Sequence, residues 1–361
     1  MATEPQVNLN DTQRIMGVLD QAKPLKTFFM DRFYPMKIVE PTTDIKFDVK
    51  KGHRKSAPFV APRSKARSIR LPGNRTKTFT PPTIKLTSDL NPRASLARMA
   101  GEPIGGALTP QARAAAIQVE TLNEIRTLTT RSQEHMAIEG AVQGSITVTG
   151  EGYDEPVVID FGRHPDLTGA LVGTAQWNKE MASPLADIES RGKLVSKIDG
   201  ATITDVIMDP EAWAFCRKDP ELREIIKLRR ATGGNTADIG PKNYNATDAV
   251  LVAELGDYRI WVYSDFKDVI HIDPITGQYT VEEGVPVLEP GTVIGVGPQL
   301  QGFRLFGALE DQLAIDMGMA ATELFVKVWY DQESGVKYMQ GQCAPLPVVL
   351  RENASWSLKV F

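Results

Sequence analysis

Cysteine is nearly absent. Cys216 and Cys343 are the only two in 361 residues, far apart and without a second Cys or a His at ligand spacing. That excludes a disulfide framework and a zinc ribbon and fits a reducing cytosol. The four histidines, His53, His135, His164 and His271, show no metal or catalytic spacing. No apolar run approaches membrane-spanning length, and the first residues lack the basic-then-apolar pattern of a signal peptide. Neither sign of charge dominates: 41 Lys and Arg face 45 Asp and Glu, a net charge of −4. Bulk charge therefore does not call for nucleic acid or an anionic membrane. Also missing are a Gly-x-Ser-x-Gly elbow and a Gly-x₄-Gly-Lys-Ser/Thr phosphate loop. The glycines from Gly291 to Gly302 lead into Phe303-Arg-Leu-Phe, a strand pattern, where a dinucleotide fingerprint requires a helix. Cys216 sits in an apolar helical context, a core position. Asp205, Asp209 and Asp219 invite comparison with an acidic cluster, but Asp209 and Asp219 precede prolines and read as helix caps. The residues thus give no reason to expect an enzyme, and no catalytic, metal or cofactor residue is assigned.

What is present is an ordinary globular composition, 42% hydrophobic and 24% charged, long enough for two or three domains. The organising stretch runs from Thr109 to Gly162. Thr109 is placed to cap a helix with Pro110 at its first position. From Gln111 to Glu139 there is neither Gly nor Pro, and Ile117, Leu122, Ile125, Leu128, Met136 and Ile138 recur at helical spacing. The helix is expected to end at Gly140 to Gly144, about 40–45 Å from its start. That length suits a spine along a flattened molecule. Ser145–Thr149 and Val157–Phe161 then alternate as a β-hairpin.

Prolines cluster before this spine. Phe28, Phe29, Met30, Phe33 and Tyr34 form an aromatic segment between Pro24 and Pro35. It must bury itself, either on its own core or as an arm on a neighbouring subunit. Ile38, Val39, Ile45, Phe47 and Val49 alternate as strands. Between Lys46 and Leu86 there are twelve Lys and Arg against one acid, Asp48, with Pro58, Pro62, Pro72, Pro81 and Pro82 among them. Four readings compete for this region: a nucleic-acid arm, a disordered segment, a membrane-surface patch, and a long two-stranded arm. Sparse aromatics and the lack of a recognition helix argue against the first. The prolines forbid the amphipathic helix that the membrane patch needs. The favoured reading is the two-stranded arm, 58–69 against 76–86 with Leu71-Pro-Gly-Asn74 as its turn. An isolated hairpin is marginal, so such an arm requires another subunit to lie on.

Beyond the spine, Pro184–Val195 reads as a helix and Ile203–Met208 as a buried strand. Asp209-Pro210 starts a helix, a second helical piece spans Pro220–Arg230, and 231–245 is a polar loop. Strands are expected at Val250–Leu255, Tyr258–Tyr263, Gln278–Glu282, Thr292–Gly297, Arg304–Phe306, Phe325–Tyr330, Lys337–Gly341 and Trp356–Phe361. This is an α+β pattern.

The segments also carry a resemblance. Phe28-Phe29…Tyr34-Pro35, the basic proline-spaced loop, the long helix, Thr147-Val-Thr-Gly-Glu…Val157-Val-Ile-Asp-Phe-Gly162, Trp177-Asn-Lys179 and Ile207-Met-Asp-Pro-Glu-Ala-Trp213 come in that order. Gly302-Phe-Arg-Leu-Phe-Gly307, Val328-Trp329 and Ala344-Pro-Leu-Pro347 follow. Together they resemble the lambda-type major capsid proteins of tailed phages (major capsid protein E). The resemblance implies the Hong Kong 97-type capsid fold. Residues 1–45 would be an N-terminal arm and 46–100 an extended loop. Residues 101–200 would be a peripheral domain holding the spine helix and β-hairpin, 201–300 an axial domain, and 301–361 the peripheral return strands. It implies a major capsid protein that self-assembles as hexamers and pentamers into an icosahedral shell around double-stranded DNA. Scaffold, portal and a decoration protein would be its partners, without covalent cross-links. The location would be the virion, and the host cytoplasm during assembly. On this reading Arg63, Lys65, Arg67, Arg70 and Arg75 make inter-subunit contacts to spine acids such as Glu120, Glu124 or Glu134. Phe28, Phe29, Phe33 and Tyr34 form an inter-subunit arm, and Gly101, Gly105, Gly106, Gly140 and Gly144 are hinges. The rivals are an encapsulin-like nanocompartment shell and a nucleic-acid-binding protein using the 46–86 arm, for which salt-sensitive DNA binding by a soluble monomer would decide.

Overall fold

The computed structural model describes residues 27–50, 74–99, 108–150, 155–220, 222–224, 249–272 and 279–361, with isolated positions 59, 62, 63, 65, 102 and 153. Short helix α1 (Phe29–Phe33) leads into β1 (Met36–Val39), β2 (Ile45–Lys50), β3 (Asn74–Phe79) and β4 (Ile84–Leu90). A second short helix, α2 (Pro92–Leu96), precedes the spine helix α3 (Pro110–Gln143). As expected, Thr109 caps α3, its Oγ1 accepting from Ala112 N at 3.2 Å, with Pro110 in the first turn. The helix has 34 residues, about 51 Å. It runs through Gly140 and stops at Gly144, whose φ of +76° and N–H bond to Gly140 O make the left-handed C-cap. Gly140 is there for packing: a Cβ would come within 3.3 Å of the Phe161 ring.

The buried stripe of α3 joins two cores. Leu122 and Ile125 pack with Leu90, Phe325, Val328 and Met339. Ala137, Ile138 and Ala141 pack with Phe161, Ile207, Val293 and Trp356. The hairpin β5 (Ser145–Val148) and β6 (Val157–Asp160) follows the helix as predicted.

The main sheet has six strands. In sequence order they are β7 (Thr168–Ala170), β8 (Asp205–Met208), β9 (Ala249–Leu255), β10 (Tyr258–Tyr263), β13 (Thr292–Val296) and β18 (Ser355–Lys359). In space the order is β7-β18-β13-β8-β10-β9. Helix α4 (Pro184–Ile198) precedes β8 and helix α5 (Pro210–Cys216) follows it. The sheet crosses the boundary drawn at residue 300, since β18 is hydrogen-bonded between β7 and β13. β8 is buried along its whole length, which explains why its sequence shows no alternation.

Two smaller sheets take up the remaining long strands. β14 (Gly302–Phe306) lies between β1, parallel to it, and the antiparallel β17 (Pro345–Val349). β16 (Lys337–Cys343) lies between β15 (Phe325–Tyr330) and β4. Here the structure corrects the expected arm. Residues 76–86 are not one strand: β3 pairs with β2, from Ile45↔Phe79 to Lys50↔Asn74, while β4 belongs to the β16 sheet. Pro81 and Pro82 separate them, because neither can donate to a ladder. The other expected half, 58–69, lies outside the described residues except for a few positions. Helix α6 (Gln312–Asp316) and a ribbon of β11 (Phe266–Ile272) with β12 (Tyr279–Pro286) are also present. The polar loop 231–245 and most of the helical piece 220–230 lie outside the described residues.

Candidate assembly surfaces

The aromatic segment, expected as an arm, is packed into the chain's own core. Phe28, Phe29, Phe33 and Tyr34 are all buried in the chain's own core, Phe29 and Tyr34 almost completely. The Phe28 ring meets Trp261 and Tyr263, with centroids 5.0 and 6.2 Å away, and Phe29 meets Tyr263 edge-on at 5.5 Å.

Polar groups fix this anchor to three elements. From α3, Glu134 accepts from Phe29 N at 2.7 Å and Met30 N at 2.8 Å. From β8, Asp205 accepts from Arg32 Nη2 at 2.7 Å, and also from Arg259 Nη2 at 3.0 Å and Trp261 Nε1 at 2.8 Å. From β14, Arg304 donates to Tyr34 O at 2.8 Å and to Asp31 Oδ1 at 2.6 Å. Arg32 also lies over the Trp261 ring at 4.6 Å. Burial pushes the Glu134 carboxyl up to about 7, against the pull of the anchor's amides. Glu134 is buried with both carboxylate oxygens taken up by the anchor's amides, whereas Glu120 and Glu124 are exposed on α3.

Of the expected loop contacts, Arg63 and Lys65 are exposed. Arg67 and Arg70 lie outside the described residues. Arg75 is on β3, paired with Val49. Lys77, on the same strand, turns inward to Glu352 at 3.0 Å and to the Phe161 carbonyl, tying the root of the loop to the body.

Among the expected hinges, Gly101, Gly105 and Gly106 lie outside the described residues, but Glu102 between them is described. It accepts from Met99 N and Leu108 N and pairs with Arg113 through two bonds of 2.9 and 3.0 Å. The Arg113 fork, then the Leu108 amide, hold its carboxyl down at about 2. Both ends of the glycine segment are thus gathered at the start of the spine helix. Gly140 lies inside α3 and Gly144 at its cap. A side chain at Gly144 would strike Arg163, whose guanidinium donates to the Ala141 and Val142 carbonyls at 2.7 and 2.6 Å. Burial lowers that guanidinium to about 10. A cation on these last-turn carbonyls suits the helix C-terminus.

Sequence reasoning named Glu134 only as a partner for loop arginines and Asp205 only within an acidic trio, and did not see either as an anchor; it missed Arg163 and Arg304. Only Asp205 gave a signal, an acid within an apolar strand. Asp209 does cap α5, accepting from Glu211 N at 2.9 Å, and also takes Gly291 N at 2.9 Å. Among the described residues no group of His, Cys, Asp and Glu is placed to hold a metal. Among them, too, no helix is long and apolar enough to cross a membrane. A depression of about 900 Å³ between α4 and the β9–β10 turn carries Glu189, Lys193, Glu254, Asp257 and Arg259, charges of both signs.

A long spine helix lying across a sheet built from distant parts of the chain is the arrangement of phage capsid subunits. The crystal structure of a prophage capsid protein of E. coli CFT073 superposes with a TM-score of 0.71 at 18% identity, covering 99% of this chain and 100% of that one. A subunit of the mature capsid of bacteriophage PhiM1 gives 0.50 at 10% identity, covering 94% and 88%. In sequence, the major capsid protein of Escherichia phage lambda is 25% identical over 347 residues, 94% of this chain and 96% of the relative. Residues 11–360 match the family described as phage major capsid protein E, and the chain belongs to that family. Its function is accordingly that of a structural subunit of the tailed-phage capsid, and not that of a nanocompartment shell or a nucleic-acid-binding protein.

Proposed function

We propose that this chain closes an icosahedral shell through hexamers and pentamers of itself, with the basic 46–86 region reaching over a neighbouring subunit. The carrying observation is the separation of charge along the chain. Setting aside the twelve cations and one acid of 46–86 leaves 29 Lys and Arg against 44 Asp and Glu, so a strongly basic segment is attached to a body of net −15. Two copies can then attract head to tail, and a heterologous contact of that kind generates rings. Arg63, Lys65, Arg67, Arg70 and Arg75 are the loop contacts. Glu120 and Glu124, exposed on the spine, are acceptors on the neighbour. Residues 101–200 with the return strands make the peripheral domain and 201–300 the axial domain. Gly101, Gly105, Gly106 and Gly144 serve as hinges during maturation. Gly140 does so only if α3 bends. The shell takes scaffold and portal during assembly in the host cytoplasm and a decoration protein afterwards. It encloses double-stranded DNA without reading its sequence, and the subunit carries no catalytic activity and binds no membrane.

Negative-stain microscopy with sizing chromatography tests this reading. Shells, tubes or capsomer rings are expected from the expressed protein. Reversing Arg67 and Arg70 to Glu together should leave a folded monomer that no longer assembles. Normal particles from that variant would remove the loop–neighbour contact. Salt-sensitive DNA binding by a monomer that never assembles would favour a nucleic-acid arm.

A further inference from the structure

The spine helix α3 is packed unevenly. From Pro110 to Glu120 the only buried residue is Arg113; Ala114, Ala116, Ile117 and Gln118 are half-buried and the rest are exposed. Buried positions resume at Thr121 and Leu122. Helices in proteins are held mainly by an apolar face that packs, and one shorter than about 12 residues is marginal in water. The start of α3 has little of that packing. Between it and α2 lies a depression of about 190 Å³, lined by Leu90, Pro92, Ala114, Ile117 and Tyr330. Ala112, Ala114, Ala115 and Ala116 favour the helical state, but propensity does not fasten a helix to anything.

Arg113 is buried against Glu102. Its Nε donates to Glu102 Oε2 at 3.0 Å and its Nη2 to Oε1 at 2.9 Å. The same carboxylate accepts from Leu108 N at 2.7 Å and from Met99 N at 3.1 Å. Arg98 donates to the Glu102 carbonyl. Glu102 therefore gathers the chain arriving from α2, at Met99, and the residue before the helix cap, at Leu108, onto the one buried side chain of the helix start. The Thr109 cap bonds within the helix, to Ala112 N and Arg113 N. It begins the helix without tying it to the body. A fork of two parallel bonds fixes direction as well as distance, which a single contact would not.

We propose that Glu102 is a positioning residue: acting through Arg113, it fastens the start of the spine helix, residues 110–120, to the body, and this end comes loose as a unit when the pair is broken. The helix beyond it has seats of its own. Leu122 and Ile125 are set in one core, and Ala137, Ile138 and Ala141 in the other. Local opening follows such boundaries, where buried apolar contacts are few on one side and many on the other. The fastening belongs to the free subunit and is independent of shell formation.

Amide hydrogen exchange on the full-length subunit, wild type against Glu102→Gln, tests this. The substitution keeps the shape and one acceptor and removes the charge. Protection at Ala114, Ala115, Ala116 and Ile117 should fall by about tenfold or more, while that from Ile125 to Ile138 stays within about twofold. Arg113→Lys keeps the charge without the fork and should loosen the same amides and no others. Wild-type protection at 114–117 in Glu102→Gln would overturn the proposal. An equal loss along the whole helix would overturn it too, since the pair would then support the fold at large and not this end. Limited trypsin digestion gives a second readout. The bond after Arg113 should be cut about tenfold or more faster in Glu102→Gln than in wild type, with the bonds after Arg126 and Arg131 resistant in both. Equal rates after Arg113 would overturn the fastening.

Discussion

Glu134 and Phe29, 105 residues apart, are joined by a 2.7 Å hydrogen bond from the backbone amide to the carboxylate. Met30 N donates to the other carboxylate oxygen. One buried acid in the middle of the spine helix therefore holds the start of the N-terminal anchor. Burial raises its pKa from the ordinary 4.5 to about 7. An acid whose pKa is raised on folding favours the folded state while it is protonated. Its contribution is complete below about pH 4.5 and is lost as pH rises to about 7. The loss is on the order of 3 kcal/mol. The melting temperature of wild type should decline between pH 5 and pH 8 relative to Glu134→Gln, whose neutral side chain cannot titrate. Parallel pH profiles for the two proteins would contradict this.

Asp205 should be the costliest polar residue of the anchor to remove. Its carboxylate takes two bonds from Arg32, one from Arg259 and one from Trp261, and its side chain is 6% exposed. Asp205→Ala strands these donors and should cost about 3–5 kcal/mol. Arg32→Ala leaves Asp205 with Arg259, Trp261 and the Thr204 hydroxyl, and removes a guanidinium that water already reaches, so about 1–2 kcal/mol is expected. Urea midpoints at constant slope measure both, and equal losses would refute the ranking.

Gly341 sets how closely the spine helix approaches the β4-β16-β15 sheet. A Cβ there would overlap the Cγ2 methyl of Ile125. Gly341→Ala should destabilise by about 1–3 kcal/mol through overpacking. Adding Ile125→Ala should recover part of it, so the double variant loses less than the two singles summed. Strict additivity in the cycle would show that the contact does not limit the approach.

The two cysteines should be silent in the folded subunit. Cys216 and Cys343 are buried, and desolvation pushes both thiols up to about 12. Disulfide reagents should react with them on the order of 100-fold more slowly in native protein than in denaturant. Fast native labelling of either would mean that its strand or helix opens locally.

The spine helix was legible because its signals are local: a Thr-Pro start, no interior Gly or Pro until Gly140, and a periodic apolar face. Its end, expected between Gly140 and Gly144, falls at Gly144; Gly140 itself stays helical because its constraint is the Phe161 ring. β17 was hidden by Pro345 and Pro347, which sheet edges tolerate. β11 escaped because its polar and apolar residues form a free ribbon and not a core strand. The anchor's aromatic rings stood out, but their destination did not. Glu134, Asp205 and Arg304 stand 104, 173 and 270 residues from their partners. No spacing rule reaches so far. The basic segment was visible by count alone, since charge density needs no knowledge of the fold.

β18 has a consequence for how the subunit is made. Residues 355–359 fill the gap between β7 and β13. A chain still being translated has an unfilled slot in its main sheet until residue 359 has emerged. Earlier segments can take up local structure, but the platform that receives the anchor and the spine stays incomplete. The main sheet thus closes on a strand made after every other strand in it.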